Sequence, residues 1–273
     1  MARTWFITGS SRGLGRAITE AVLKSGDKVV ATARQPSQLD DLVQTYGSDN
    51  LLPLQLDVTN NEEVLAAVHA AKDKFGQIDI VVNNAGYANV AAVEDAPLDD
   101  FRKQFDTNFF GVVNVTKAVL PILREQGHGH ILQVSSVGDR MGSPGLASYQ
   151  SAKWAVAGFS TVLAREVALL GIKITVLEPG GMSTDWAGSS MGTGPVSEPY
   201  KETVAKNAAL RQQLRSGWTS AEKVADAILY IVNVEDPPLR LLLGKDTVVH
   251  ANKVAEDLAA DDEKWRHVTE LEV

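Results

Sequence analysis

The sequence predicts an α/β fold: a single domain over residues 1–273, built as a doubly wound parallel sheet of about seven strands flanked by helices. Two observations carry this expectation. Short runs rich in Val, Ile and Leu alternate with longer amphipathic segments, as buried parallel strands alternate with crossover helices. No internal repeat and no linker divides the chain.

The first strand, 4–8, reads Thr-Trp-Phe-Ile-Thr, and a helix over 15–25 follows its glycine-rich exit. The second strand is 28–33, with a helix over 38–46 behind it. The third strand is 51–56. Thr59-Asn60-Asn61-Glu62 then reads as a capped start for a helix over 62–75. Strand 78–83 precedes a long helix, 99–125. Strand 129–135 precedes the helix 149–170, and strand 173–178 follows it. Thr219-Ser220-Ala221-Glu222 is a second capped start, for a helix over 220–232. Strand 239–243 is the last. Ligands of such sheets bind beyond the carboxyl ends of the strands.

Two stretches break the alternation. Residues 183–218 contain Gly188-Ser189-Ser190-Met191-Gly192-Thr193-Gly194 and then a helix to about residue 215. A glycine-bearing insertion of this length is either a lid over a site or a disordered loop. Trp186, Met191, Tyr200 and Trp218 favour the lid, because disordered loops carry few large apolar groups. The acidic extension 245–273 reads as helical, covering the core or packing on another subunit.

Composition removes several function classes. The chain has no cysteine, which excludes disulfides, thiolate metal sites and cysteine nucleophiles. The five histidines form no zinc-type spacing with a third ligand, so no metal site is expected. A net charge of -8 argues against nucleic acid as a partner. The sequence enters an apolar strand within a few residues of Met1 and holds no apolar run of 18 residues. Those two features predict a cytoplasmic protein with no membrane span.

The first strand runs into Thr8-Gly9-Ser10-Ser11-Arg12-Gly13-Leu14-Gly15, and a helix follows. Glycines let backbone approach a pyrophosphate closely, and a helix N-terminus offers free N–H groups and partial positive charge. Arg34 closes the second strand, where an NAD-preferring site places an acid to hold the ribose hydroxyls. A guanidinium there suits a 2′-phosphate instead, and Arg12 could reach the same phosphate. The pattern predicts NADP(H) over NAD(H).

Tyr149 and Lys153 are four residues apart on a predicted helix, which sets them on one face. A phenol titrates near pH ~10, and a neighbouring ammonium is expected to lower that value toward working pH.

With the glycine turn at 8–15 and Tyr-x-x-x-Lys at 149–153 in one chain, the sequence resembles the classical short-chain dehydrogenases/reductases, a family with a Rossmann fold. Further matches run through residues 3–185. They are Asp57-Val58 after the third strand, Asn83-Asn84-Ala85-Gly86 after the fourth, Asn108 in its helix, Ser136 after the fifth, and Pro179-Gly180-Gly181-Met182-Ser183-Thr184 after the sixth. Val-Val-Ala-Thr-Ala-Arg, Glu-Pro-Gly-Gly and Leu-Leu-Leu-Gly-Lys-Asp further resemble the branch of 17β-hydroxysteroid and retinol dehydrogenases.

The resemblance implies an NADP(H)-dependent oxidoreductase that interconverts a carbonyl and an alcohol. It assigns catalysis to Asn108, Ser136, Tyr149 and Lys153. It assigns cofactor binding to Gly9, Ser11, Arg12, Gly13, Leu14, Gly15, Arg34, Asp57, Val58, Asn84, Ala85, Gly86, Tyr149, Lys153, Pro179, Gly180, Met182 and Thr184. Lys153 would lower the tyrosine pKa and hold the nicotinamide ribose, and Asn108 would hold a water linking Lys153 to solvent. Met141, Met182, Trp186 and Met191 are either lining residues for an apolar small-molecule substrate or core packing. A homodimer or homotetramer through 99–125 and 149–170 is implied as well. Two rival readings stand beside this one: an NADP(H)-binding sensor or scaffold without turnover, and a sugar-nucleotide epimerase or dehydratase. All four catalytic positions are present, which weighs against the first, and the glycine spacing and chain length weigh against the second.

Overall fold

A computed structural model of the chain describes residues 2–183 and 191–271. Its centre is a seven-stranded parallel sheet. The strands are β1 (Thr4–Ile7), β2 (Lys28–Ala33), β3 (Leu51–Gln55), β4 (Ile80–Asn83), β6 (Gly129–Val134), β7 (Ile172–Pro179) and β11 (Arg240–Leu243), in the order β11-β7-β6-β4-β1-β2-β3. All seven expected strands are present, each within two residues of the range read from sequence. The order reverses direction between β1 and β4, which pair as Trp5 with Ile80, Phe6 with Val81 and Ile7 with Val82. Loops leaving two such strands diverge to opposite faces and open a crevice, where a doubly wound sheet binds its ligand.

Side chains alternate across the sheet and bury two cores. Trp5 and Ile7 face α1 (Gly13–Lys24), α2 (Asp40–Tyr46) and α8 (Ala221–Ile231), packing with Leu14, Ile18, Leu42 and Ile228. Phe6 faces α3 (Asn61–Phe75), α5 (Gly111–Gln126) and α6 (Ala147–Val167), packing with Val68, Val115, Val119 and Leu163. This double burial is why the strands read as continuous apolar runs. The expected caps form: Asn60 accepts from the N–H groups of Glu62 and Glu63, and Ser220 accepts from that of Lys223. Each satisfies orphan donors of a helix first turn.

The structure departs from expectation in the helix after β4, in the insertion and in two short strand pairs, while the C-terminal segment is helical as expected. The helix read as 99–125 is α4 (Leu98–Phe105), then a π-turn over Asp106–Phe110, then α5. The insertion is less helical than read. Its described part holds β9 (Met191–Thr193), a 3₁₀ turn at Glu198–Tyr200, a π-turn at Lys201–Ala205, α7 (Lys206–Gln213) and a 3₁₀ turn at Leu214–Gly217. β9 pairs in parallel with β5 (Ala88–Val90), a strand too short to read from sequence. β8 (Met182–Ser183) and β10 (Thr219–Ser220) pair likewise at the base of the insertion. The C-terminal segment is one helix, α9 (Lys245–Thr269), which buries Thr247 and Ala251 and leaves the rest largely exposed. Among the described residues no helix is long and apolar enough to cross a membrane.

Candidate active site

The carboxyl ends of β1, β4, β6 and β7 bring the sequence-predicted residues to one edge of the sheet. The glycine turn leaves β1, and Gly9 and Gly13 hold φ angles of 69° and 55°, the left-handed region that favours glycine. Gly15 is required for a different reason: a Cβ there would fall on the Gly9 carbonyl and the Asn84 amide. Helix α1 has Arg12 at its N-cap, no side-chain cap and no acid in its first turn. The N–H groups that begin at Gly13 are therefore presented with partial positive charge, and an anionic pyrophosphate suits them. Arg34 is exposed just past β2, and no carboxylate occupies that position. This donor set fits the pyrophosphate of a dinucleotide.

Asn84 clamps the turn. Its Nδ2 donates to the Thr8 carbonyl at 2.9 Å and the Gly9 carbonyl at 3.1 Å. Thr8 answers from the other side: its Oγ1 accepts from the backbone N–H groups of Asn84 and Ala85 at 2.9 and 3.0 Å. Thr8 was not among the expected site residues, although its place at the mouth of the turn was the available signal. Asp57 Oδ1 accepts from the Thr59 N–H and hydroxyl, ordering the loop after β3. Buried Val58 packs where a Gly111 Cβ would lie, 2.5 Å from its Cγ2.

Helix α6 carries Tyr149 and Lys153, both buried. Lys153 Nζ donates to the Val134 carbonyl at 2.7 Å and lies 5.6 Å from the centroid of the Tyr149 ring. Tyr149 is hydrogen-bonded to Ser136, which caps the turn after β6 by accepting from the Gly138 N–H at 3.0 Å. The π-turn directs Asn108 inward, where π-bulges commonly serve functional sites. Asn108 Nδ2 donates to the Tyr87 carbonyl and its Oδ1 accepts from the Tyr87 N–H, at 2.9 and 3.1 Å. A Cβ on Gly86 would stand 2.6 Å from Asn108 Oδ1 and 3.7 Å from Lys153 Nζ. These contacts gather Gly86, Asn108 and Lys153 at one point, and Ser136 and Tyr149 beside them.

Electrostatics correct one expectation. The Tyr149 phenol lies above its ordinary value, not below it: burial disfavours the phenolate, the Ser136 hydrogen bond opposes this, and the Asp139 charge adds to it. Burial also pushes Lys153 down to about 8, against a smaller upward pull from Asp139. In this structure desolvation sets the direction of both shifts.

Pro179 ends β7, and the Gly180 N–H donates to the Leu243 carbonyl at 3.1 Å. The Gly181 N–H donates to Asp246 Oδ2 at 3.3 Å, and a Cβ on Gly180 would collide with that carboxylate. Asp246, at the start of α9, is a contact to which the sequence reading assigned no role. Met182 packs on the core beneath α1 and α8, and Met141 is half-buried. Met191 is described only by its backbone in β9. Thr184 and Trp186 lie outside the described residues.

Comparison with known proteins follows the same outline. The family model for short chain dehydrogenases matches residues 3–192. Oxidoreductase BOA17 of Botryotinia fuckeliana is 59% identical over 270 residues, covering 98% of each chain. A short-chain dehydrogenase from Streptomyces avermitilis superposes with a TM-score of 0.91 at 35% identity, covering 98% of each chain. Two Burkholderia structures share the fold. The B. phymatum protein, solved with NAD, has a TM-score of 0.83 at 22% identity, covering 95% of both chains. The B. cenocepacia protein, solved with NADP, has a TM-score of 0.77 at 24% identity, covering 96% of this chain and 97% of its own.

Proposed function

The chain belongs to the short-chain dehydrogenase family of oxidoreductases, and from that premise we propose that it interconverts an apolar ketone or aldehyde and its alcohol with NADP(H). The convergence of Ser136, Tyr149, Lys153, Asn108 and Gly86 beside the glycine turn is the observation that carries this reading. When bound, NADPH supplies the hydride.

The chain's own residues do the rest. The pyrophosphate is held by the α1 N-terminus and the turn that Asn84 clamps. Arg34 would pair with the 2′-phosphate, and Arg12 would offer it a second guanidinium. Ala85, Gly86, Asp57 and Val58 border the crevice, and Pro179, Gly180 and Met182 its nicotinamide end. Tyr149 Oη holds the proton that passes to the developing alkoxide, and Ser136 Oγ donates a hydrogen bond to the same oxygen. The high phenol pKa in the buried site favours the acid form that reduction needs. Lys153 holds the ribose hydroxyls, and Asn108, fixed by the Tyr87 backbone, keeps Lys153 and a connecting water in line.

The described part of the insertion, from Met191 on, would cover the substrate, with half-buried Met141 as an apolar neighbour. Exposed Phe110, Trp154 and Val162 on the α5 and α6 side support a homodimer or homotetramer through that face. The direct test is oxidation of NADPH, with NADH alongside, against a panel of ketones and aldehydes and their alcohols in reverse. Turnover with NADPH at a k_cat/K_M above that with NADH supports the reading. Tight NADPH binding without turnover in either direction would replace it with a sensor.

A further inference from the structure

The turn that carries Ser136 is anchored by a buried ionic cluster that the proposed chemistry does not use. Asp139 is 3% exposed and Glu178 is 0% exposed. The Arg240 guanidinium pairs with Asp139 Oδ1 and with Glu178 Oε1, and Arg140 Nε donates to Glu178 Oε2 at 2.6 Å. Buried carboxylates persist only when paired, and these are. Asp139 makes a second set of contacts toward the site. Its Oδ2 accepts from Ser135 Oγ at 2.5 Å, and that hydroxyl also lies 3.4 Å from the Lys153 carbonyl. Its own N–H donates to the Ser136 carbonyl at 2.9 Å. The Asp139 side chain thus takes the Ser135 hydroxyl, which lies beside the Lys153 backbone, and through Arg240 reaches the end of β7, while its own backbone holds the Ser136 turn.

The Asp139 charge also acts on the site at a distance. It favours the protonated forms of both Lys153 and Tyr149. Lys153, pushed down to about 8 by burial, keeps its ammonium at neutral pH by a narrow margin, so a nearby negative charge matters.

We propose that Asp139 is a positioning residue of the active site: through Arg240 it anchors the Ser136 turn to the ends of β7 and β11, and it is the buried counter-charge beside Lys153. This rests on the reading of Tyr149 and Lys153 as the reacting pair. The charged and titratable groups around Asp139 are Arg140 on its own turn, Tyr149 and Lys153 on α6, Glu178 on β7 and Arg240 on β11. Helix α9, which also packs on the turn, directs Asp246 to the Gly181 N–H.

The test uses the full chain without cofactor, its lysines labelled with ¹³C at Cε. The Lys153 resonance is assigned by its loss in Lys153→Arg and followed against pH. In Asp139→Asn the Lys153 midpoint falls by about one pH unit, and in Asp139→Glu it stays near wild type. A merely structural role predicts no such movement. An unchanged midpoint in Asp139→Asn that keeps its near-ultraviolet circular dichroism overturns the proposal. Should that variant fail to fold, wild type decides. Asp139 is itself pushed up to about 6 by burial, so the Lys153 resonance must show a second inflection near that pH, and its absence overturns the proposal. No substrate enters this experiment. A wild-type chain that reduces no carbonyl refutes the proposed reaction and leaves the titration to decide the counter-charge by itself.

Discussion

Replacing Asn84 with alanine removes the clamp on the glycine turn and leaves the backbone sequence of the turn untouched. Two hydrogen bonds disappear, from Nδ2 to the Thr8 and Gly9 carbonyls. Each contributes about 1 kcal/mol net, so folding stability falls by about 2 kcal/mol. In a chain of this size each kcal/mol lowers Tm by about 2–4 °C, which predicts a fall of about 4–8 °C. The turn must also be reordered before it can hold a pyrophosphate. If most of that loss is recovered only on binding, the Kd for NADPH rises about 10-fold, the equivalent of about 1.4 kcal/mol. Thermal melts followed by circular dichroism and NADPH fluorescence titration read the two effects separately. Thr8→Val is the companion variant: it strips the acceptor from the Asn84 and Ala85 N–H groups and is expected to cost at least as much. A Tm within about 1 °C of wild type in Asn84→Ala, with unchanged NADPH affinity, would refute the clamp.

Three further outcomes are expected. Arg34→Ala raises K_M for NADPH about 10- to 100-fold and leaves that for NADH nearly unchanged, because one charge-assisted contact to a 2′-phosphate is lost; steady-state kinetics with both cofactors measure it. Gly86→Ala pushes a methyl group into Asn108 Oδ1, which the Tyr87 backbone holds on both sides, and lowers k_cat about 10-fold or more in a protein that still folds. His130 is buried, its Nε2 is paired with Thr175 Oγ1 at 2.9 Å, and burial depresses its pKa to about 4. The unfolded chain takes up that proton below about pH 6.5 and the folded chain does not until about 4, so this contribution is complete above 6.5 and is lost as pH falls through that window. Denaturant titrations at pH 7 and 4.5 should differ less in His130→Asn than in wild type, by about 2–3 kcal/mol.

The sheet was legible because its central strands are buried on both faces and are largely apolar, as Phe6 and Ile7 in opposite cores illustrate. The glycine turn was legible because only glycine tolerates the backbone at positions 9 and 13. The π-turn was not: one wider turn at Asp106–Phe110 does not break the apolar periodicity across 99–125, so only the motif pointed to Asn108. The β5–β9 pair has three residues a side, too few for the alternation of Ala88, Asn89 and Val90 to announce a strand. The cluster around Asp139 joins residues as far apart as Arg240, 101 positions away, and no local spacing announces it. The direction of the Tyr149 shift depended on burial, which the Tyr-x-x-x-Lys spacing does not encode.

The central claim is that Tyr149 supplies the proton in carbonyl reduction. Tyr149→Phe removes one oxygen from a buried site and leaves the glycine turn, Arg34 and Lys153 in place. The measurement is NADPH oxidation with a carbonyl substrate of the wild-type chain, beside NADPH binding, in wild type and Tyr149→Phe. The account predicts a fall in k_cat of about 10²-fold or more with an NADPH Kd close to wild type. Retained turnover in the phenylalanine variant would contradict it.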